Sequence, residues 1–458
     1  MIAVAWALFA VLIGCGLVMR FGRGLTALEP RWAAALLVFG SGAAAGIGLT
    51  SILFFLCRMA APGIPRLGMF LEITIFGWLV FEISRQRKTS TPDATAKALF
   101  VPWLMGAAFL AFAIVTAGMT VAWDANPQGN WDAWAIWNLR ARFLVEGNLP
   151  QRAWSALLTE THPEYPLLIS GAVARCWAYA GSLTEAAPIA TSYLFFLSLL
   201  AMVTGGVAVY RGRTLGLLAG LALLGAPTVM HEAGFAQYAD VPLACYMMGA
   251  TMLILLDRPL LAGLFAGLAM WTKDDGTQFV AIFLVAIAVL RRERFAQVAM
   301  GAIPGVVVAL IFKIALSPRT SMYLMGGPKA MLQRVVDGRF WQISGAFAHE
   351  IGALGFGWYH PILPLLALAI GLSFEGERRR DWLFAATIPC AMLAGYFSIF
   401  LISPFPLKWH LESSLNRLLV QLWPCFVLAT FVGLSRLERT VIQAPAATVK
   451  ARKKSRTS

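Results

Sequence analysis

Charge is what this chain has least of: Asp, Glu, Lys and Arg make up only 13% of its 458 residues. A soluble domain is nearer a quarter charged, so the composition excludes a water-soluble globular protein. Cysteine is scarce as well. Cys15, Cys57, Cys176, Cys245, Cys390 and Cys425 lie singly, mostly in apolar segments, without pairing or metal-ligand spacing. That pattern argues against both a disulfide framework and a zinc site. The first apolar run has no basic leader before it and no small-residue cleavage pattern after it. It reads as a retained helix rather than a secretory signal.

What is abundant is apolar, at 59%. Successive hydrophobic runs read as spans over 2–19, 32–56, 67–83, 98–122, 188–210, 214–231, 239–256, 297–316, 355–372, 382–402 and 416–435. Most reach the roughly 20 residues that cross a bilayer core. The shorter runs 259–271 and 277–290 flank Trp271-Thr272-Lys273-Asp274-Asp275-Gly276 and read as two short helices meeting at a polar break. Such a break is tolerated where it lines a cavity. The expected fold is therefore an all-α polytopic membrane protein of about 13 spans.

The net charge of +14 does not imply nucleic acid here, because the basic residues cluster at span ends. Arg20, Arg23 and Arg31, then Arg85, Arg87, Lys88 and Lys97, place the first and third loops in the cytoplasm, with Arg58 and Arg66 a contrary signal. Keeping Arg211 and Arg213 inside requires that 165–181 does not cross, so this segment reads as a surface or re-entrant helix with Arg175 in its middle. The polar segments 124–165, 231–240, 273–276, 317–354 and 408–417 then all face outward. Their convergence points to one extracytoplasmic site.

Polar groups at a membrane boundary are costly to desolvate, so dense clusters of them mark chemistry or binding. Trp131, Trp134, Trp137, Arg140 and Arg142 suit an amphipathic surface helix, either an aromatic belt with snorkelling arginines or part of a site. Asp132 reads as a helix cap or as a general base on an acceptor hydroxyl. His162-Pro163-Glu164-Tyr165-Pro166 reads as a helix start, its prolines in the first turn and His162 and Glu164 beside an anion. Asp240, after His231, Glu232 and Tyr238, either caps a span or joins the site. Lys273, with Asp274 and Asp275, either clamps a phosphate or forms an internal ion pair. Asn416 and Arg417 enter the last span from outside, where cations are rare, and with His410 they suggest an anionic ligand. The 317–354 loop reads as a lid or acceptor surface, and 436–458 as a basic cytoplasmic tail near anionic lipid.

In this order, the motifs resemble those of the GT-C superfamily of integral-membrane glycosyltransferases, in particular its protein O-mannosyltransferase and aminoarabinose lipid A transferase groups. Trp131-Asp132-Ala133-Trp134 is similar to the acid in that family's first external loop, and His162-Pro163-Glu164-Tyr165-Pro166 to its His-Pro-Pro-Leu helix start. Tyr238-Ala239-Asp240-Val241-Pro242 resembles its second acidic motif, Thr272-Lys273-Asp274-Asp275-Gly276 its Thr-Lys…Gly turn, and Asn416-Arg417…Pro424 its late Arg…Pro segment. The likeness covers about 98–435, with external loops 124–187 and 317–354; residues 1–97 add extra N-terminal helices. Glu164 replaces the second proline, and no second acid adjoins Asp132.

The resemblance implies a GT-C-like fold with extracytoplasmic juxtamembrane helices, in the inner membrane of a bacterium with its site on the periplasmic face. It implies transfer of a sugar from a polyprenyl-phosphate donor to an extracytoplasmic hydroxyl or phosphate of a lipid, glycan or protein acceptor, usually with inversion. Asp132 would act as the base, and Lys273, His410 and Arg417 would hold the departing phosphate. Asp240 and His162 would orient donor or acceptor. A divalent metal (Mg or Mn) stays open. The alternatives are a transporter or flippase of a lipid-linked glycan, which would show internal repeats with broken helices, a scaffold, and a lipid-linked glycan ligase.

Overall fold

The computed structural model describes residues 1–22, 24–85, 102–146, 149–158, 161–318, 327–353 and 379–434. Among them every regular element is a helix. Three helices open the chain: α1 (Ile2–Phe21), α2 (Arg31–Ala60) and α3 (Leu67–Ser84). After α4 (Pro102–Ala125) comes a short external pair: a wide π-type turn (Asp132–Asn138) running into α5 (Leu139–Val145). Then follow α6 (Leu168–Ala180), α7 (Ala186–Arg211), α8 (Arg213–Leu224), α9 (Pro227–His231), α10 (Asp240–Leu255), α11 (Pro259–Thr272), α12 (Asp275–Leu290) and α13 (Phe295–Ile311). The described part ends with α14 (Gly327–Val336), α15 (Arg339–Ala353), α16 (Arg379–Ile402) and α17 (Leu407–Gly433).

Among the described residues, eight helices are individually long and apolar enough to cross a membrane, or nine if the α8–α9 pair, bent by 67°, forms one broken span. α10, α11 and α12 are apolar but shorter. The protein is thus a helical integral-membrane protein. The expected span at 355–372 and the tail at 436–458 lie outside the described residues.

The short helices are central rather than peripheral. Every residue of α10 from Asp240 to Ile254 is buried, packed among α7, α11 and α17. A helix that is apolar all round has no face for solvent or lipid and belongs inside a bundle. α3 and α4 lie at the periphery, with only 17% of their apolar windows buried.

Close helix crossings are built from glycine. A Cβ placed on Gly46 of α2 would lie 1.9 Å from the Ala10 carbonyl oxygen of α1, and one on Gly14 would lie 1.8 Å from the Gly42 carbonyl. With little hydrophobic force between helices in lipid, such backbone approach supplies the packing. Gly46→Leu should therefore push α1 and α2 apart and cost about 1–3 kcal/mol of stability. A lowered melting temperature in detergent, with α3 loosened alongside, checks this.

α6 is too short to span, but it is not a surface helix. Every residue from Leu168 to Tyr179 is buried. Arg175 is paired with buried Glu72 of α3, to which Tyr179 also donates a 3.0 Å hydrogen bond. The contrary arginines of the second loop are likewise explained. Arg58 is buried and donates to the Leu144 carbonyl at the end of α5, and Arg66 to the Ala178 carbonyl at the end of α6. Each meets a carbonyl in a last helical turn, where orphan acceptors and the helix dipole favour a cation.

Candidate functional site

Two wide turns meet on the face predicted to be external. The Asp132–Asn138 turn is held when Asn138 Nδ2 donates to the Gln128 carbonyl and side-chain oxygens at 3.3 and 3.2 Å. A second wide turn, Glu232–Ala236, abuts it, the Asn130 amide donating to the Ala236 carbonyl at 3.0 Å. Turns of this kind recur at functional sites. Here they bring Asp132 and Tyr238 beside the start of α10 and against Arg417, about three turns into α17.

Arg417 bridges the two acids. Its Nη2 lies 2.5 Å from Asp132 Oδ2 and 3.0 Å from Asp240 Oδ2, and its Nε lies 3.1 Å from that same Asp240 oxygen. Tyr238 lies beneath it, with the guanidinium carbon 4.2 Å from the ring centroid. Lys273 Nζ lies 3.0 Å from Asp240 Oδ1 and 3.3 Å from Asp275 Oδ2. Gln421 closes the group, donating to Asp240 and, at 3.2 Å, to Asp275, while accepting from Tyr396. Asp240 makes no cap bond to its own helix. Its fully buried carboxylate is spent on Arg417, Lys273 and Gln421.

The α11–α12 break places Lys273. α11 ends at Thr272, Lys273 is extended (φ −158°, ψ 163°), and α12 restarts at Asp275. The reversal is tight: a Cβ on Gly276 would fall 1.9 Å from the Ala269 carbonyl oxygen, so the position demands glycine. Burial works against the Lys273 ammonium, but Asp240 and Asp275 outweigh it and hold it above the ordinary lysine range. Burial likewise pushes the Tyr238 phenol up to about 12, reinforced by Asp132, so it stays neutral at pH 7.

Asp132, His162, Glu164, Lys273 and Arg417 line one cavity of about 540 Å³. Five of the predicted site residues, distant in sequence, are thus brought together. Asp240, Tyr238 and Asp275 stand directly behind them against Arg417 and Lys273, and the rest lie elsewhere. His410 is buried behind the cavity, its Nδ1 2.8 Å from Ser403 Oγ and its ring against Phe400 and Phe405. Asp274 pairs with Lys313 at 2.5 Å, Asp275 supports Lys273, and Asn416 is exposed, accepting from the Arg417 amide. None of the lining residues comes from α14 or α15, which instead anchor through Arg334 and Arg339 to the carbonyls of Ile402 and Ser403.

Two local expectations are corrected. Pro163 and Pro166 do not sit in a first helical turn: α6 begins only at Leu168, and His162 takes a left-handed conformation (φ 50°). A residue preceding proline is driven out of the α region, which delays the helix. His162 Nδ1 lies 3.0 Å from Glu164 Oε1, and its ring stacks on Tyr165 at 4.5 Å. Burial raises the Glu164 carboxyl, but the bond to His162 wins and holds it below the usual range.

The tryptophan segment is not a simple surface helix either. Trp131 and Trp134 are half-exposed, but Trp137 is buried, stacked 6.0 Å from Tyr165. Arg140 does not snorkel: fully buried, it donates to the carbonyls of Ala153 (2.8 Å) and Tyr165 (2.6 Å) and clamps the loop that carries His162. Gln421, Tyr396 and Lys313 were not expected. For Gln421 the available signal was its place four residues after Arg417, on the same helix face.

Among the described residues no three His, Cys, Asp or Glu side chains converge on a point, and the acids of the cavity wall are already paired. The chain matches no family model, no curated protein and no solved structure.

Proposed function

We propose that this protein is a glycosyltransferase of the GT-C kind, working at the extracytoplasmic face of a bacterial inner membrane. It moves a sugar from a polyprenyl-phosphate donor to an acceptor hydroxyl, with Asp132 as general base. The observation that carries this reading is one cavity lined at once by an acid, Asp132, and two cations, Lys273 and Arg417. Its 540 Å³ lies within the range of small-molecule sites, about 300–1,000 Å³. The motif order that resembles the GT-C superfamily supports the same reading.

The chemistry follows from the placement. Asp132 takes the acceptor proton as the acceptor oxygen bonds to the anomeric carbon. The anomeric carbon–oxygen bond to the phosphate breaks, inverting the centre, and the polyprenyl phosphate leaves with the electron pair. Charge develops on that phosphate, where fixed cations stabilise it most. Arg417 uses only Nε and Nη2 in its bonds to Asp132 and Asp240, so Nη1 remains as a donor. Lys273 uses two of its three protons. Both cations can meet a phosphate without leaving the acids that position them.

Sugar transfer from radiolabelled polyprenyl-phosphate donors, in membranes with matched expression, tests the proposal. Wild type should transfer, and Asp132→Asn should fall by about 10²–10⁴-fold, the range for a general base. Equal transfer by both would remove Asp132 from the mechanism. No transfer with any donor by folded protein would favour the transporter alternative.

A further inference from the structure

The cavity wall has a second chemistry that neither the base nor the phosphate clamp requires. Trp131, Tyr165, Phe405 and Trp409 line it alongside the charged groups. Trp131 and Trp409 are large apolar side chains left 50% and 57% exposed. They reach the cavity from distant parts of the chain, Trp131 directly before Asp132 and Trp409 in the first turn of α17. An aromatic belt turns its indoles toward lipid headgroups. These two instead front a polar cavity. Phe405 packs on Trp409 at 5.7 Å and Trp134 on Trp131 at 4.7 Å, so each exposed indole is braced by a neighbouring ring.

We infer that this aromatic rim is a carbohydrate subsite that stacks a pyranose ring of a glycan acceptor beside Asp132. The identity of the ring as an acceptor rests on the glycosyltransferase reading; the binding chemistry does not. A pyranose has a face of C–H bonds, electropositive at hydrogen, and a rim of hydroxyls. The face complements the negative face of an aromatic ring. The rim needs donors and acceptors at the edge of the stack, which Glu164, His162, Ser413 and Ser414 supply in the same cavity. An aliphatic lipid would use the rings but not these polar groups, and a bare phosphate would make no use of the rings. A sugar ring could also come from the donor, and phosphate-free glycans separate the two sources.

The test uses full-length protein in lipid nanodiscs on an array of tethered mono- to tetrasaccharides that carry no phosphate. Wild type should bind a subset of glycans saturably. Trp131→Ala and Trp409→Ala should each weaken that binding by at least about tenfold. Trp341→Ala, which removes a 77% exposed indole of α15 away from the cavity, should leave it unchanged. Equal binding by all four proteins, or no binding by wild type, overturns a glycan acceptor site. Transfer assays on the same preparations separate the two ideas. Transfer that persists in Trp131→Ala and Trp409→Ala, without glycan binding, sinks the rim and spares the glycosyltransferase. Trp-dependent glycan binding without any transfer does the reverse. A raised KM for the donor alone would assign the stacked ring to the donor and overturn the acceptor assignment.

Discussion

Arg417→Ala is expected to lower sugar transfer by about 10³–10⁵-fold, the range found when a cationic finger is removed from a departing phosphate. The size follows from its double position. Its guanidinium holds Asp132 Oδ2 at 2.5 Å and Asp240 Oδ2 at 3.0 Å, and it reaches the cavity that both serve. Truncation removes the phosphate donor and frees the base from its fixed direction in one step. Arg417→Lys keeps the charge but cannot span two carboxylates with a planar fork, so it should recover only part of the rate. Stability reads the structural share separately, because removing one partner of a buried ion pair costs about 3–5 kcal/mol. If melting falls while guanidinium added to Arg417→Ala restores transfer, the side chain acts on the reaction. If transfer is lost only in proportion to folded protein, Arg417 holds the bundle and the clamp is elsewhere.

Much of this arrangement was legible in the sequence, for a physical reason. In an apolar chain each charged residue is expensive, so Asp132, Asp240, Lys273 and Arg417 stand out as exceptions to their surroundings. Two apolar runs too short to span, separated by Lys273-Asp274-Asp275-Gly276, foretold the α11–α12 break. Side-chain direction was not legible. His410 and Arg417 sit on one helix, yet one turns into a pocket of Phe400, Phe405 and Ser403 and the other into the cavity. Arg140 and Trp137 looked interfacial because spacing cannot show that Ala153 and Tyr165 pack over them. Gln421 was hidden for the opposite reason. A lone amide in an apolar helix is cheap enough to pass unnoticed, and only the fold reveals that it donates to both Asp240 and Asp275.

Asp240→Ala should destabilise the protein by up to about 3–5 kcal/mol, since it removes the wholly buried carboxylate that two cations share. Asp240 is wholly buried and is the only residue bonded to both Arg417 and Lys273 among the described residues. Without it, Arg417 keeps Asp132 and Lys273 keeps Asp275, but nothing holds the two cations in register. The kinetic consequence has a definite sign. Losing one negative charge makes the site more attractive to an anionic donor, so KM for the donor should not rise. Misplaced cations meet the developing phosphate charge poorly, so kcat should fall. Asp240→Asn keeps the shape and one acceptor and should lose less stability while showing the same split. The double variant Asp240→Ala/Lys273→Met removes a cation that has lost one of its two acids and should regain part of the stability, a coupling of about 0.5–3 kcal/mol. A rise in donor KM with unchanged kcat would instead mean that Asp240 contacts the donor and does not act through Arg417 and Lys273.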